Sequence, residues 1–535
     1  MEKALGELQL KNAFGLAKLN FQGNGREAEM KANRFSIVTM AVGIVIVGAC
    51  AKPASHPPAM APGDGAALKS LELSVGKVSP GFSPGRTAYQ AKVGQRAERI
   101  TVFPKTIDAD ASVSVNGRPV TGGRSSGEID LPVGRTIVSI EVTSRDGIER
   151  KTYTVKVIRA YPTPDWVRLK EKTPWTPRDS AGELVFHERM WLLGGYIPEV
   201  INDVWSSPDG EQWTRMGTVP CAAGVNIPVN FVFDDRMWVV CNDGQLYATA
   251  DGTNWALVTD RAPWKGRYAA GGVVFAGRMW VMGGPGFNDI WSSGDGVDWT
   301  LETAHAPWSR RQLFSMLQVL DGRIWLLGGG ITVYHPFKAY RDVWNSADGK
   351  NWTRVSGQAP WPARIWSPSA VYRNRLWVFG GFRSEPTWNN FNDVWYSSDG
   401  VGWSQLETEN IWSPRHELSA YVFRDKLWVV GGNSWPLQND VWYLEIPGLA
   451  FLSQPVIEEF VNAQYLYPAR ADFNRSRGPV SYRLIEAPAW LSIDQATGGI
   501  SGTPPAVGDA MVTVEAFDAA GETARQTYTL HVIPM

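Results

Sequence analysis

A basic residue, an aliphatic residue and Trp recur in this order six times, and this repeat constrains the fold more than any other feature of the chain. The copies are Arg189-Met190-Trp191, Arg236-Met237-Trp238, Arg278-Met279-Trp280, Arg323-Ile324-Trp325, Arg375-Leu376-Trp377 and Lys426-Leu427-Trp428. Successive copies are 42 to 52 residues apart. A period of this size indicates a repeat architecture, in which each unit buries its apolar faces against its neighbours.

Three further markers accompany the tripeptide. A Gly pair follows in five of the six units, at 194–195, 283–284, 328–329, 380–381 and 431–432. An Asp-Val/Ile-Trp sequence ends at Trp205, Trp291, Trp344, Trp395 and Trp442, and Tyr247 takes this place in the second unit. A Ser/Thr-x-Asp-Gly-x-x-Trp turn ends at Trp213, Trp255, Trp299, Trp352 and Trp403. Tight turns between short apolar runs predict antiparallel hairpins.

Each unit contains four short strands, a to d, which is the composition of a propeller blade. In the fifth unit we place them at 369–372, 376–379, 393–397 and 403–406. The sixth unit lacks strand d, and the strand that begins at Trp166 can complete it and close the ring. The sequence therefore predicts an all-β protein in which residues 161–448 form a six-bladed β-propeller.

The Gly pair after strand b, the aromatic residue on strand c and the Trp on strand d resemble the kelch repeat. The resemblance covers about 288 of 535 residues. It implies a kelch-type propeller with ligand-binding arginines near the mouth of the central channel. The Asp-Gly turn also resembles the Asp-box of sialidases, where it is a structural element.

The connections from strand d to strand a carry, in five units, a Trp followed three residues later by Arg. The arginines are Arg178, Arg267, Arg311, Arg364 and Arg415. Strand parity places the d–a and b–c connections on one face of the ring. We expect these guanidinium groups to bind a carboxylate or phosphate of a ligand. The alternative is that each Arg caps carbonyl groups or pairs with an acidic residue of a neighbouring blade.

The two longest b–c loops, in units four and five, are rich in aromatic residues. They contain Tyr334, His335, Phe337 and Tyr340, then Glu385, Trp388 and Phe391. From these we select Tyr334, His335 and Trp388 as candidate ligand-stacking residues. Packing of each loop on itself is the competing interpretation.

Two cysteines fall in the second unit, which lacks the Trp, the Arg and the Gly pair. Cys221 lies near the start of strand a and Cys241 near the end of strand b. These positions are neighbours in a hairpin, so we predict a disulfide in an oxidising compartment.

Both flanking segments contain short alternating strands, which are typical of β-sandwiches. Residues 68–160 resemble the bacterial cadherin-like β-sandwich, on Leu71-x-Leu73, Phe82-Ser83-Pro84 and Tyr89. Residues 449–535 resemble the immunoglobulin-like domain of many bacterial surface proteins, on the run from Thr497 to Pro504. Both domains are interpreted as spacers or adhesion modules.

The N-terminal region has the layout of an export signal. Basic residues precede the apolar run 35–49, and small residues lead to Cys50. Residues 1–50 are interpreted as this signal, with Met30 as an alternative start, and an uncleaved anchor helix is the competing interpretation. The ending Val47-Gly48-Ala49-Cys50 resembles a lipobox, which implies lipidation of Cys50 and, with Ala51, an outer-membrane or surface location. Residues 51–67, rich in Pro and Ala, read as a tether.

The sequence favours a binding protein over an enzyme, because no set of residues in it requires a catalytic role. A net charge of −1 gives no general attraction for nucleic acid. The expected partner is an extracellular or periplasmic glycan, peptide or protein, with no cofactor and no metal. The alternative is a sugar-modifying kelch enzyme similar to sialic-acid mutarotase, with Glu417 or Glu385 as acid/base. A galactose-oxidase-like copper enzyme is disfavoured, because the cysteines and histidines do not supply its crosslink and ligands.

Overall fold

The fold is entirely β in the residues that the computed structural model describes, 65–120, 124–260, 262–264, 267–333 and 336–535. Within these ranges no helix is long and apolar enough to cross a membrane. The signal region and Cys50 lie outside the described residues, and so do Tyr334 and His335.

The N-terminal domain is built on a five-stranded sheet in the order β2-β9-β8-β5-β6. Its described strands are β1 (Leu68–Leu73), β2 (Ala88–Val93), β3 (Arg99–Ile100), β4 (Val102–Thr106), β5 (Ser112–Val115), β6 (Arg118–Val120), β7 (Ile129–Asp130), β8 (Gly134–Thr143) and β9 (Arg150–Arg159). Alternate residues of β8, among them Val138, Ile140 and Val142, are fully buried. This period of two places one face of the sheet on a core that β1 and β4 cover from the other side.

The central part of the chain forms six four-stranded antiparallel sheets, which we call blades 1 to 6. Blade 1 contains β11 (Gly182–Phe186), β12 (Arg189–Tyr196), β13 (Val200–Ser207) and β14 (Thr214–Thr218). Blade 2 contains β15 (Val229–Phe233), β16 (Arg236–Val240), β17 (Leu246–Thr249) and β18 (Ala256–Thr259). Blade 3 contains β19 (Gly271–Phe275), β20 (Arg278–Met282), β21 (Ile290–Ser293) and β22 (Trp299–Thr303).

Blade 4 contains β23 (Leu317–Leu320), β24 (Arg323–Ile331), β25 (Lys338–Ser346) and β26 (Thr353–Ser356). Blade 5 contains β27 (Ser369–Tyr372), β28 (Arg375–Phe379), β31 (Val394–Ser397) and β32 (Ser404–Gln405), with a small hairpin, β29 (Phe382–Arg383) and β30 (Asn389–Asn390), in its b–c loop. Blade 6 contains β33 (Ser419–Phe423), β34 (Lys426–Asn433), β35 (Leu437–Glu445) and, from the other end of the domain, β10 (Trp166–Lys170).

The first strand of each blade contacts the first strand of the next, and that of blade 6 contacts that of blade 1. The blades therefore form a closed β-propeller. Strand β10 pairs antiparallel with β35, from Trp166 opposite Leu444 to Lys170 opposite Val441. The strand at Trp166 thus completes the last blade, as the sequence predicts.

Neighbouring blades are locked together by a Trp of one and a Gly of the next. In the Asp-Gly turn of blade 5, Gly400 has a φ of 74° and any side chain there would collide with the indole of Trp325 in blade 4. The equivalent pairs are Gly210 with Trp428, Gly252 with Trp191, Gly296 with Trp238 and Gly349 with Trp280. The Trp of the repeated tripeptide and the Gly of the turn are therefore two halves of one inter-blade contact.

Blade 6 has no Asp-Gly turn, and the C-terminal domain takes its place. Phe473 is fully buried and stacks on Trp377 of blade 5, with ring centroids 5.8 Å apart. Asp472 pairs with Arg375 at 2.6 Å and accepts a hydrogen bond from the Tyr396 hydroxyl at 3.0 Å. The C-terminal domain is thus packed on the propeller by the same kind of aromatic contact that joins the blades.

The C-terminal domain is a sandwich of a four-stranded sheet, β37-β44-β43-β40, and a three-stranded sheet, β38-β42-β41. Its strands are β36 (Ala450–Phe451), β37 (Glu458–Phe460), β38 (Tyr465–Pro468), β39 (Ala471–Asp472), β40 (Ser481–Glu486), β41 (Leu491–Ile493), β42 (Gly499–Gly502), β43 (Gly508–Phe517) and β44 (Thr523–Ile533). Glu458 joins this domain to the N-terminal one through Lys156 at 2.5 Å and Arg135 at 3.3 Å.

Inside the propeller, the side chain of Glu183 in blade 1 bridges the axis to the hydroxyl of Ser315 in the opposite blade 4. Ser315 donates to one carboxyl oxygen, while the other oxygen, Oε2, is buried and has no hydrogen-bond partner among the described residues. Burial outweighs the serine hydrogen bond and raises the pKa of Glu183 to about 8. Blades 1 and 4 are therefore connected by a carboxyl group that favours its neutral form.

We predict that Glu183 makes the stability of the propeller fall as the pH rises. The unfolded chain releases this proton near the ordinary glutamate pKa, whereas the folded chain retains it to about pH 8. The folded state is therefore penalised between about pH 4.5 and 8. Glu183→Gln should be more stable than wild type by about 4 kcal/mol at pH 8, with the difference vanishing near pH 4. Thermal unfolding across this pH range measures the difference.

Glu199→Gln is the matched control, because Glu199 belongs to the same blade and its side chain is exposed. Its unfolding curve should follow that of wild type at every pH. A constant difference between Glu183→Gln and wild type from pH 4 to 8 would contradict the prediction.

Candidate functional site

The face of the propeller that carries the d–a and b–c connections is organised by a ring of residues with positive φ, one from each blade. They are Ser180, Ile227, Ala269, Ser315, Trp366 and Glu417. Backbone hydrogen bonds run from blade to blade around this ring: Glu417 to Trp366, Ser180 to Glu417, Ile227 to Ser180, Ala269 to Ile227, Leu313 to Ala269 and Ser369 to Ser315. The amide and carbonyl groups at the entry to each first strand are therefore used to close the ring.

Directly before this ring lie the five repeated arginines, and each one pairs with an aspartate of its own blade. The aspartate is that of the Asp-Val/Ile-Trp sequence, so that Arg178 pairs with Asp203, Arg267 with Asp289, Arg311 with Asp342, Arg364 with Asp393, and Arg415 with Asp440. In each pair both terminal nitrogens of the guanidinium contact the carboxylate; in Arg364 these distances are 2.7 and 2.8 Å. These are bidentate, charge-assisted pairs.

Two other repeated markers belong to the same unit. The aspartate also accepts a hydrogen bond from the indole two residues later, as in Trp395 to Asp393 at 2.8 Å. The arginine donates to the carbonyl of the first Gly of the pair, as in Arg364 to Gly380 at 2.8 Å. Burial opposes ionisation of Asp393, but the hydrogen bonds and charge of Arg364 prevail and hold its carboxyl pKa below the usual range.

Aromatic side chains from the b–c loops, and in blade 4 from the beginning of β25, cover several guanidinium groups. Phe287 lies over Arg267 at 4.1 Å, Tyr340 over Arg311 at 4.0 Å and Phe391 over Arg364 at 4.6 Å. The arginine side chains are only 0 to 3% exposed.

This arrangement corrects the expectation of a ligand-binding ring formed by Arg178, Arg267, Arg311, Arg364 and Arg415. Each guanidinium donates its hydrogen bonds to its aspartate and to carbonyl groups. Because the arginine side chains are buried, they expose no surface that a ligand could contact. The alternative is right that each Arg caps a carbonyl group, as Arg364 does with Gly380, but the acidic partner belongs to the same blade and not to a neighbouring one.

Blade 2 lacks the arginine, and a disulfide joins the same two segments. Cys221 lies in its d–a connection and Cys241 directly after its second strand, with Cα atoms 5.6 Å apart. The bond expected from the sequence is therefore present in the structure. It links the segments that the arginine and the Gly carbonyl link in the other five blades.

We predict that Arg364→Ala destabilises the propeller by about 3 to 5 kcal/mol, because it leaves the partly buried carboxylate of Asp393 without its cationic partner. Chemical denaturation followed by Trp fluorescence measures the loss. Arg215→Ala, at an exposed position on the outer strand of blade 1, is the control and should change little. Equal stability of the two variants would contradict the structural role assigned to the arginine.

Where blade 6 meets blade 1, three ionisable side chains converge. A carboxyl oxygen of Asp179, a ring nitrogen of His416 and a carboxyl oxygen of Glu417 lie within 4.8 Å of one another. Their exposures are 4, 4 and 7%. Asp179 and His416 each follow a repeated arginine directly, so equivalent positions of the first and last blades supply the cluster.

The polar neighbours of this cluster orient its members. The Ser180 hydroxyl donates to Glu417 Oε2 at 3.0 Å, and the Asn433 amide donates to Asp179 Oδ2 at 2.8 Å. His416 Nδ1 lies 2.7 Å from Asn390 Oδ1. An amide oxygen can only accept, so Nδ1 carries the proton and Nε2 has a free lone pair.

Burial dominates the electrostatics here. Burial raises the pKa of Asp179 to about 7, and it raises the pKa of Glu417, to which the neighbouring charge of Asp179 adds. Burial also lowers the pKa of His416 to about 3, so the imidazole is neutral. The cluster thus disfavours charge on all three of its members.

An aromatic platform surrounds His416, and we define it as Trp366, Phe382, Trp388 and Trp435. The imidazole stacks on Trp366 at 5.3 Å and lies 5.1 Å from Trp435. Trp388 and Trp435, 6.3 Å apart and 49 and 43% exposed, present indole surface to solvent. They come from the b–c loops of blades 5 and 6.

The candidate site residues selected from the sequence lie in different parts of this face. Trp388 lies in the platform, Glu417 lies in the buried cluster, and Glu385 is exposed on the b–c loop of blade 5. Phe337 and Phe391 are buried, so these parts of the long loops do pack on the propeller.

Sequence reasoning missed Asp179, His416 as a polar neighbour of Asp179, and Trp435. A signal was available for the first two, because both occupy the position after a repeated arginine, in the two units that ring closure makes neighbours. For Trp435 the signal was weaker, an aromatic residue in a b–c loop of ordinary length.

The fold and site define a β-propeller protein with two appended β-sandwiches. The profile of the family described as "DUF6242 beta propeller domain" matches residues 166–454, more than half of the chain, so the chain belongs to this family. The profile of "Cadherin-like beta sandwich domain" matches 68–160, and that of "Putative Ig domain" matches 452–533.

One curated relative and one solved structure complete the comparison. A 94-residue stretch is 32% identical to a "Putative membrane protein" of Evansella cellulosilytica, covering 18% of this chain and 14% of that relative. The chain thus matches a small part of the relative's length. The structure titled "Structure of YjhT" is similar to 52% of this chain and 96% of its own, at 12% identity and a TM-score of 0.40.

Proposed function

We propose that the protein is an exported, lipid-anchored binding protein whose propeller binds a carbohydrate at the aromatic platform. The observation that carries this proposal is the pair Trp388 and Trp435, which expose large indole surfaces side by side. Sugar rings have apolar faces that stack on exposed aromatic side chains, and large side chains of this kind are seldom left exposed without a use.

The polar groups beside the platform support the same proposal. Asn390 and Asn433 have side chains that are partly exposed, and they connect the platform to the buried cluster. A ligand site that combines an apolar surface with a few oriented polar groups is the usual design for small-molecule recognition. The platform replaces the arginines as the proposed ligand-contacting surface.

The type and placement of the protein belong to this proposal as well. We propose a six-bladed propeller of kelch type spanning residues 161–448, preceded by a sandwich at 68–160 and followed by one at 449–535. Cys50, the last residue of the signal region 1–50, is attached to a membrane by lipid. The tether 51–67 follows it, and the sandwiches act as spacers for the propeller. An outer-membrane or surface location is part of the proposal, and the similarity to a protein described as a "Putative membrane protein" is consistent with attachment to a membrane.

A sugar-modifying enzyme is the second candidate, and one observation favours it. Two buried carboxyl groups, Asp179 and Glu417, lie beside a neutral histidine directly under the platform. Such an arrangement could move a proton on a bound sugar. Glu417 is the residue of this second candidate, and Glu385, exposed and apart from the cluster, is not.

We predict that a glycan array probed with the full chain gives binding that depends on the platform. Trp388→Ala and Trp435→Ala should each weaken binding at least tenfold, because each removes a stacking surface, and Trp388→Phe should retain part of it. Phe103→Ala, an aromatic of comparable exposure in the N-terminal domain, is the control.

Undiminished binding in both Trp→Ala variants would contradict the platform as the site. If the bound sugar instead exchanges its anomers faster in the presence of wild type, followed by NMR, and this acceleration is lost in Glu417→Gln, the enzymatic candidate replaces simple binding.

We predict that Cys50→Ser abolishes membrane attachment. Wild type expressed in a bacterium should incorporate labelled palmitate and sediment with membranes, whereas the variant should incorporate none, because serine lacks the thiol that is acylated. Cys221→Ser is the control, since Cys221 is committed to the disulfide inside the propeller. Equal labelling of wild type and Cys50→Ser would contradict lipid attachment at this residue.

A further inference from the structure

The cluster of Asp179, His416 and Glu417 contains two carboxyl groups whose negative charge no neighbouring cation of the described residues balances. Two carboxyl groups are buried next to one another, and burying charge is costly unless it is paired. The adjacent arginines do not help, because Arg178 is committed to Asp203 and Arg415 to Asp440. Among the described residues, no Lys or Arg forms an ion pair with either carboxyl group.

One atom of the cluster has no partner at all among the described residues. Asp179 Oδ1 is buried and accepts no hydrogen bond, although Oδ2 of the same group accepts one from Asn433. Buried polar atoms in proteins almost always form a hydrogen bond or bind an ion. An oxygen without either, in a region where the other polar atoms are hydrogen-bonded, therefore indicates that a bound partner is absent. It belongs to a carboxyl group that also lies within reach of His416 and Glu417.

The ring of His416 is oriented so that the lone pair of Nε2 is available to a cation. Its Nδ1–H is held by Asn390 Oδ1, which fixes the tautomer and leaves the Nε2 lone pair facing the carboxyl groups. Nε2 lies 3.8 Å from Glu417 Oε2, too far for a hydrogen bond between them. A second hydrogen bond that fixes the ring is the usual support of a metal-ligating histidine.

The distances fit one ion held between the three side chains. Metal–ligand bonds to nitrogen and oxygen are about 2.0 to 2.2 Å, so two ligands of one ion lie roughly 3 to 4.5 Å apart. The three candidate atoms fall within 4.8 Å of one another, a separation that small side-chain rotations close. The backbone beneath them is fixed, because Glu417 and Ser180 belong to the hydrogen-bonded ring.

We propose that Asp179, His416 and Glu417 bind one divalent transition-metal ion, such as Zn²⁺ or Mn²⁺. Two carboxylates and one dication give a neutral buried site, and the ion supplies the missing partner of Asp179 Oδ1. The hydrogen bonds from Ser180 and Asn433 hold the remaining carboxyl oxygens in place. Three protein ligands leave at least one coordination position for another donor.

The donor set selects the class of metal. Imidazole nitrogen suits Zn²⁺ and the neighbouring first-row ions, and carboxylate is shared by Zn²⁺ and Mn²⁺. Ca²⁺ prefers six to eight oxygen ligands, which two carboxyl groups and a histidine do not supply. This proposal is independent of the carbohydrate proposal, because it rests on the buried cluster and not on the exposed indoles.

The test is equilibrium dialysis of the full chain, stripped with a chelator, against Zn²⁺, Mn²⁺ or Ca²⁺ in separate experiments, with bound metal counted by mass spectrometry. We expect one Zn²⁺ or Mn²⁺ per chain and a higher Tm in the presence of that ion. Asp179→Asn and Glu417→Gln keep the shape of the side chains and should bind at least tenfold more weakly, with no rise in Tm. Asp509→Asn, which alters an Asp–His pair in the C-terminal domain, should bind as wild type does.

Pulsed electron paramagnetic resonance of wild type loaded with Mn²⁺ adds a readout that does not depend on any variant. Coupling of the ion to one histidine nitrogen is expected. Substoichiometric uptake of both Zn²⁺ and Mn²⁺, preference for Ca²⁺, absence of nitrogen coupling, or equal losses in Asp509→Asn and Glu417→Gln would each overturn the proposal. Because Trp388→Ala and Trp435→Ala leave the cluster intact, they should retain the metal whatever they do to carbohydrate binding.

Discussion

The buried pair between the repeated arginine and the aspartate of the same blade is the interaction on which the rest of the propeller depends. It connects three segments: the entry to the first strand, the Gly pair after the second, and the start of the third. Breaking such a pair leaves a buried charge, so each blade is strongly committed to this geometry. In blade 2 the disulfide between Cys221 and Cys241 joins the first two of these segments by a covalent bond.

With the entries fixed in this way, the chain can close a hydrogen-bonded ring around the axis and pack each blade on the next. The Trp of one blade fills the space above the Gly of the next, and Phe473 of the C-terminal domain fills it where blade 6 has no turn. The C-terminal sandwich is thus part of the propeller's packing. The face that carries the proposed site is the one whose b–c loops lie above the ring.

The proposed site follows from two properties of that face. Loops of blades 5 and 6 bring indoles to the surface, and the positions after the arginines in blades 1 and 6 bring two carboxyl groups and a histidine beneath them. The platform provides area for a ligand, and the buried cluster provides a place for an ion. Because the pair-and-ring framework holds both, either can change without rebuilding the fold.

The sequence by itself determined the all-β class, the repeat, and the strand bounds within a blade, which in blade 5 agree to within one or two residues. It also determined the closing strand at Trp166 and the Cys221–Cys241 bond, because the repeat and the pairing of strands in a hairpin predict these features. Only the tertiary structure decided that the arginines are buried, since their desolvation depends on covering loops such as that of Phe391. It alone assembled Asp179 with His416 and Glu417: Ser180 and Glu417, hydrogen-bonded to each other, are 237 residues apart, and the closure of the ring makes them neighbours.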